Sequence, residues 1–461
     1  MFRFKNPMLK ILLFFLFLIK IQNYAYAVEE FTFIVGSDPQ PWRLDKHGSD
    51  PDYDPNNPGN SREWKGVVEP TYQSMRSLGA KFVIVNGDMT EFGRKLMWDD
   101  TIEAYEKVGI PILYGLGNHD YGNNVNDCAD GVSTYFNNCA SNSVLKLWDR
   151  YLYPGQKSNF GGLTGLNIVN SDYKYVAPTH LAPYELSGSF AYSFEYGGVH
   201  FIQLNYCPTY KVELLNGADG NYNIHVYDAI TWLKNDISEA QKTGKRIILN
   251  YHAANMSSDT NKYCPRSEVL DDIIKKHVDF AFTGHTHAAN TQPAPHKNGS
   301  CWEYIECELG VPHLTSGALE TGAYFLVKIN GDGMMVTPYN GETGSAIALK
   351  SPEPRFMKWW RSKNDNSVVI THPANGSIIG VGNQYTIITG TGLSGASISL
   401  RTLQDRDPFC VTDVDSSGNW ICNNKLTFTT GVHTLIATQN HGPQSEQSLA
   451  VTFNGVIKPN R

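Results

Sequence analysis

Five short motifs carry side chains that can do chemistry together: Asp38-Pro39-Gln40, Gly87-Asp88, Gly117-Asn118-His119-Asp120, His252, and Gly284-His285-Thr286-His287. Their Asp, Asn and His groups offer mixed oxygen and imidazole donors, the set that suits Zn, Fe or Mn. The glycines allow turns tight enough to bring those donors close. Each motif alone has a plain explanation, since Gly-Asp is a common turn and a single His is more often structural. Together, each at the predicted end of a strand, they point to a metal site, because strand ends are where α/β sites form. Two cations about 3.5–4 Å apart need a shared carboxylate, which Asp88 can provide. Such a pair can clamp a phosphoryl group while activating a bridging water.

The elements that must position these residues are legible from periodicity. Residues 31–35, 81–85, 110–114, 246–251 and 278–283 are apolar enough to be strands buried on both faces. Val68, Tyr72 and Met75, and later Ile230, Leu233 and Ile237, recur at helical spacing, and Ser267 is a good N-cap for the segment holding Leu270, Ile273 and Ile274. Residues 190–204 alternate around Gly197-Gly198 as a hairpin, and a strand over 324–329 ends at Asn330-Gly331. Strands covered by helices over residues 28–345 predict an α/β core. Residues 346–366, rich in Pro, Lys and Trp without a period, read as a connection. From 367 to 461, short β-branched runs at 385–389, 397–400, 434–438 and 449–453, divided by Gly, Asn and Ser, predict a small all-β sandwich.

Bulk properties set the setting and exclude some functions. The 461 residues are 41% hydrophobic and 18% charged, which is the composition of a folded protein of more than one domain. A net charge of −7, with no Lys/Arg run beyond the extreme N-terminus, leaves no nucleic-acid-binding patch. Arg3, Lys5 and Lys10, the apolar stretch Ile11 to Ile19 and the Ala25-Tyr26-Ala27 site predict a signal peptide over residues 1–27. The apolar run is shorter than the roughly 20 residues of a membrane span, so an exported, periplasmic or extracellular chain with no transmembrane segment after cleavage is expected. Eight cysteines fit an oxidising compartment. Cys128/Cys139, Cys301/Cys307 and Cys410/Cys422 are natural local loops that leave Cys207 and Cys264, although spacing alone leaves the connectivity open.

The motif order resembles the calcineurin-like metallophosphoesterases, whose pattern runs D-x-H, G-D, G-N-H-D or G-N-H-E, H, and G-H-x-H. The resemblance spans the chain to about Ser345. It implies a metallophosphoesterase β-sandwich flanked by helices. It also implies two divalent or trivalent metal ions (Mn, Fe or Zn) and hydrolysis of a small phosphate monoester or diester by metal-activated water. Carried over by position, Asp38, Asp88 and His287 hold one metal; Asp88, Asn118, His252 and His285 hold the other, with Asp88 bridging. His119 is then the proton donor to the phosphate or leaving-group oxygen, and Asp120 is expected to hold its imidazole. Gln40 stands where the family usually has a His ligand. The D-P-Q form is similar to that of vertebrate calcineurin-like phosphoesterase domain-containing proteins. As a neutral oxygen ligand Gln40 suits Mn or Mg better than Zn. Purple acid phosphatases are similar in motif order but have Tyr where this chain has Glu91, so a purple enzyme is not expected.

Residues 372–376, 388–392 and 418–420 resemble bacterial immunoglobulin-like repeats, which implies contact with a surface or glycan. The alternative reading is a catalytically inactive binding protein on the same scaffold, with Gln40 marking a decayed site. Trp42, Arg43, His47, Tyr121, Asn255 and Arg266 follow the motifs and can face substrate, though ordinary loop polarity is the commoner use. For Trp302, Trp359 and Trp360, packing is commoner than a stacking surface.

Overall fold

In a computed structural model, the residues described are 28–457 apart from 45–46, 48–52, 127, 129–136, 154–162, 181, 254–263, 266, 292–308, 360–367, 374, 382–385, 394, 406, 416–417, 424–427, 442–443 and 449–450. The signal-peptide region, the Cys301/Cys307 pair, Asn255, Arg266, Trp302 and Trp360 lie outside them.

Besides a four-stranded sheet in the order Lys174–Val176, Tyr184–Gly188, Tyr222–Val226, Val212–Asn216, two mixed seven-stranded sheets carry the first part of the chain. In one, the order is Ile347–Ala348, Gly333–Asn340, Ala323–Ile329, Phe31–Gly36, Val83–Val85, Ile112–Tyr114, and Arg355–Lys358 adds to Gly333–Asn340. In the other it is Ala289–Asn290, His313–Ser316, Phe280–Thr283, Arg246–Asn250, Val199–Gln203, Tyr192–Tyr196, Asn167–Ser171. The strands that precede the motifs are parallel to one another within each sheet, while Phe31–Gly36 is antiparallel to its other neighbour, Ala323–Ile329. Their sequences, FTFIVG, VIV, ILY, RIILN and FAFT, are almost wholly buried, as strands covered on both faces must be.

Aromatic rings join the sheets. Phe33 meets Phe201 edge-on at 5.3 Å and Phe282 at 6.3 Å, while Phe82 meets Phe194 at 5.7 Å and Phe201 at 5.5 Å. Edge-to-face pairs of this kind add about 0.5–1.5 kcal/mol each beyond the area they bury. The predicted helices form as Ser61–Arg76, Ile230–Lys242 and Glu268–His277, the last capped by the Ser267 side chain accepting from the Leu270 N–H. Helices Lys95–Glu106 and Asn138–Leu147 are also present. The 190–204 hairpin and the strand ending at Ile329 are present. No helix among the described residues is long and apolar enough to cross a membrane.

The remainder is strand-rich, with its own core around Ile398, Leu400, Trp420 and Phe453. Val369–His372, Ile388–Thr391 and Asn419–Cys422 form one sheet. Ile378–Val381, Val451–Ile457, Gly431–His441, Ser397–Thr402 and Cys410–Asp413 run through the other. The Cys410–Cys422 disulfide ties the two sheets together. Cys128–Cys139 and Cys207–Cys264 are also bonded, as the spacing allowed.

The connection expected over 346–366 needs correction. Ile347–Ala348 and Arg355–Lys358 pair antiparallel with Gly333–Asn340, and buried Trp359 packs on Phe280 at 5.1 Å and donates from Nε1 to the Asn330 carbonyl. A short edge strand directly after Pro352 and Pro354 shows little apolar alternation, so the pattern hid it. The first body therefore runs to Trp359. A chain ending at Lys363 is expected to keep the metal content and melting of this body. One ending at Ser345 should melt about 6–10 °C lower, since losing a buried Trp alone costs about 3–5 kcal/mol. Calorimetry of the two truncations checks this, and equal melting would show that residues 346–359 add nothing to the first core.

Candidate metal centre

Because the central strands are parallel, their C-terminal ends open onto one edge of each sheet, and the loops that follow meet there. The loops are stitched to one another through the backbone. Asp38 N–H donates to the Gly87 carbonyl, Gln40 N–H to Asp88, Gly115 N–H to Val85, and Gly284 N–H to His252. Asp38, Gln40, Asp88, His285 and His287 all have positive φ, between 33° and 72°. Left-handed backbone at non-glycine residues costs on the order of 1–3 kcal/mol each and concentrates at functional sites. Two glycines show why the motifs need them. A Cβ on Gly117 would lie 2.1 Å from Asp88 Oδ1, and one on Gly284 would lie 2.6 Å from Asp38 Oδ2.

The side chains converge on one nitrogen. His252 Nδ1 lies 2.7 Å from the Asn86 carbonyl, which orients the ring. Its Nε2 lies 3.1 Å from Asp88 Oδ2, 3.0 Å from Asn118 Oδ1 and 3.2 Å from His285 Nδ1. Four lone-pair donors with room for about one proton among them repel unless a positive charge sits between them. The separations are those of ligands on a shared cation, since bonds of about 2.1 Å set neighbouring donors roughly 3.0–3.4 Å apart. Asp88, His252 and His285 thus form a group that can hold a metal ion.

The electrostatics agree. Burial would raise Asp88, but the neighbouring His252 and His119 outweigh it and hold the carboxyl below the usual carboxylate range. Burial would lower His252, but Asp88 and Asp38 push it up to about 9; burial and then His252 push His285 down to about 4. One proton on His252 does the work of a cation there, and a metal that binds must displace it.

A second set lies alongside. His287 Nε2 is 3.5 Å from Asp38 Oδ1, and the Asp38 carboxylate accepts from the His285 N–H at 3.0 Å. Gln40 donates through Nε2 to Glu91 Oε2 at 2.9 Å and to Asp88 Oδ2 at 3.5 Å, while its Oε1 is buried and accepts no hydrogen bond among the described residues. An orphaned buried carbonyl oxygen fits a cation ligand.

Two expectations about the surroundings change. Asp120 does not hold His119: its carboxylate accepts from the backbone N–H groups of Gly117, Met89 and Thr90 and from the Thr90 hydroxyl, locking the Asp88 turn to the Gly117 turn. Burial, with the charge of Asp88, pushes it up to about 7 against those donors. Adjacent residues on a turn need not face the same way, and here Glu91 has the expected position instead. Its Oε2 is 3.3 Å, and its carbonyl oxygen 3.1 Å, from His119 Nδ1. The His119 side chain remains 21% exposed. Glu91 was visible in the sequence only as the place where a Tyr was missing.

Of the other loop residues that are described, Trp42 is buried and donates to Asp100, and Tyr121 is buried against Tyr210, so both serve packing. His47 pairs with Glu63 on the exterior. Arg43 reaches Glu91 beside the site, at 3.6 Å. Glu320, which no motif announced, lies 3.2 Å from His287 Nδ1.

A sequence model of calcineurin-like phosphoesterases matches residues 32–289, more than half of the chain and every motif above. The chain belongs to the calcineurin-like phosphoesterase family. The family implies metal-dependent phosphoester hydrolysis, and Asp88, His252 and His285 form a group that can hold a metal ion for it. Among solved structures, the chain is similar to the calcineurin-like phosphoesterase YfkN from Bacillus subtilis at 13% identity, covering 71% of this chain and 90% of that one with a TM-score of 0.34. It is similar to CopC from Methylosinus trichosporium OB3b at 8% identity, over 21% of this chain and 98% of that one, with a TM-score of 0.17. Likenesses at these scores carry no argument, and no curated protein matches the chain.

If Asp88 is a ligand and His119 is not, Asp88→Asn should lose both bound metal and turnover, whereas His119→Ala should keep metal and lose about 10²–10⁴-fold in turnover. Metal analysis of the folded variants distinguishes these, and equal metal loss in both would refute the division of roles.

Proposed function

We propose that the chain is an exported phosphoesterase that hydrolyses small phosphate monoesters or diesters at a dinuclear centre. The observation that carries this reading is the meeting of Asp88, Asn118 and His285 within 3.2 Å of His252 Nε2, with His119 beside them. Asp38, Gln40, Asp88 and His287 would hold one cation and Asp88, Asn118, His252 and His285 the other, as Mn, Fe or Zn. When bound, such a pair supplies Lewis acidity toward phosphoryl oxygens and an activated water.

The chain's own residues do the rest. Glu91 faces His119 Nδ1 with both its carboxylate and its carbonyl, which keeps the proton on that nitrogen and leaves Nε2 for substrate. Protonated on both nitrogens, His119 would give its Nε2 proton to the departing oxygen and keep the one facing Glu91. Asp120 fixes the two turns that carry Asp88 and Asn118, so its part is positional. Three disulfides support export, since such bonds persist in oxidising compartments. The inter-sheet disulfide beside buried Trp420 supports an immunoglobulin-like reading of the last domain, whose part would be attachment to a surface or glycan.

A metal-replete panel of monoesters, diesters and nucleotides tests the activity. Turnover of at least one class is expected, and it should vanish in Asp88→Asn. A folded, metal-loaded protein that turns over none of them would instead be a binding protein on this scaffold. Gln40→His should shift preference from Mn toward Zn by about tenfold, as imidazole replaces an amide oxygen. Competition between the two metals measures it, and unchanged selectivity in a folded variant removes Gln40 from the ligands.

A further inference from the structure

Glu320 lies beyond the family-matched residues 32–289 and has no place in the motif order. It sits in the turn Leu319–Thr321, directly after the strand His313–Ser316. That turn is bound to the end of the strand Phe31–Gly36. Leu319 N–H donates to the Ser37 carbonyl at 2.8 Å and Glu320 N–H to the Asp38 carbonyl at 3.4 Å. The side chain is fully buried, and its Oε1 lies 3.2 Å from Nδ1 of His287, whose Nε2 is 3.5 Å from Asp38 Oδ1.

The two candidate cation positions therefore differ behind their histidines. His252 is backed by a neutral backbone carbonyl, Asn86, whereas His287 is backed by a buried carboxylate. A carboxylate behind a ligating imidazole fixes its tautomer and makes it a stronger donor. The carboxylate-backed histidine belongs to the same position as Gln40, where a neutral amide oxygen stands in place of a second imidazole. We infer that Glu320 is a positioning residue that compensates for Gln40: its charge, acting through His287, restores the affinity of the position held by Asp38, Gln40 and His287. The inference rests on the dinuclear reading above.

The test is bound metal, counted per chain and titrated with Mn and Zn by calorimetry, on the whole protein. Wild type should bind two ions. Glu320→Gln, nearly isosteric, should weaken one site by about 10–100-fold and leave the other unchanged, with melting of the metal-free protein close to wild type. Gln40→His in the Glu320→Gln background should recover the second ion. Glu320→Asp, which keeps the charge at a longer reach, should weaken that site less than Glu320→Gln does, and it replaces the comparison should Glu320→Gln fail to fold. Two ions at wild-type affinity in Glu320→Gln, equal weakening of both sites, or no recovery in the double variant would each overturn the compensation. Fewer than two ions in wild type would instead defeat the dinuclear reading on which it rests.

Discussion

The lone-pair crowding around His252 Nε2 is the constraint on which the rest of this structure depends. Oxygen and nitrogen donors lie 3.0, 3.1 and 3.2 Å from one buried imidazole nitrogen, and without a metal only a single proton on His252 offsets their repulsion. They are forced together by loops whose own conformations are unfavourable, since Asp38, Gln40, Asp88, His285 and His287 all take left-handed backbone. Such strain persists only when the surrounding fold over-determines it. That surrounding fold is two mixed sheets, parallel where they carry the motifs, with an aromatic core between them. Backbone hydrogen bonds from each loop to the next pass its rigidity into the site. A cation converts the repulsion into coordination, so the fold holds in advance the geometry that binding needs.

Much of this was legible because the physics that places the residues is local. The motif strands are continuous apolar runs bounded by Gly, and their parallel pairing sends every motif to the same edge; the glycines are required by close approach, as Gly117 against Asp88 shows. What was not legible depends on side-chain direction and on chain that comes together late. Asp120 follows His119 in sequence but turns to the backbone of Met89 and Thr90, so adjacency was a poor guide to contact. Glu320 sits 33 residues after His287 and reaches it only because a further strand, His313–Ser316, lies beside Phe280–Thr283 in the second sheet. The strand Arg355–Lys358 was hidden for a different reason, as an edge strand needs one apolar contact surface and Trp359 supplies it.

Glu91 links the two halves of the chemistry. One carboxylate receives Gln40 Nε2 at 2.9 Å, lies 3.3 Å from His119 Nδ1 and 3.6 Å from Arg43. Burial raises its pKa, while His119 and Arg43 pull the other way. Gln40, His119 and the half-buried Arg43 guanidinium are therefore one network, and groups in one network do not respond additively to substitution. This bears on why Gln stands at position 40. An imidazole there has at most two nitrogens to divide between a cation and its neighbours. An amide gives its oxygen to the cation and keeps two N–H donors. Gln40 gives those donors to Glu91 and Asp88, so it anchors the carboxylate beside His119, while its buried Oε1 accepts no hydrogen bond among the described residues. In the proposed dinuclear centre the Gln40–Glu91 pair would exchange ligand strength for a fixed His119. The strength given up would then be recovered at the same proposed position through the Glu320 carboxylate beside His287.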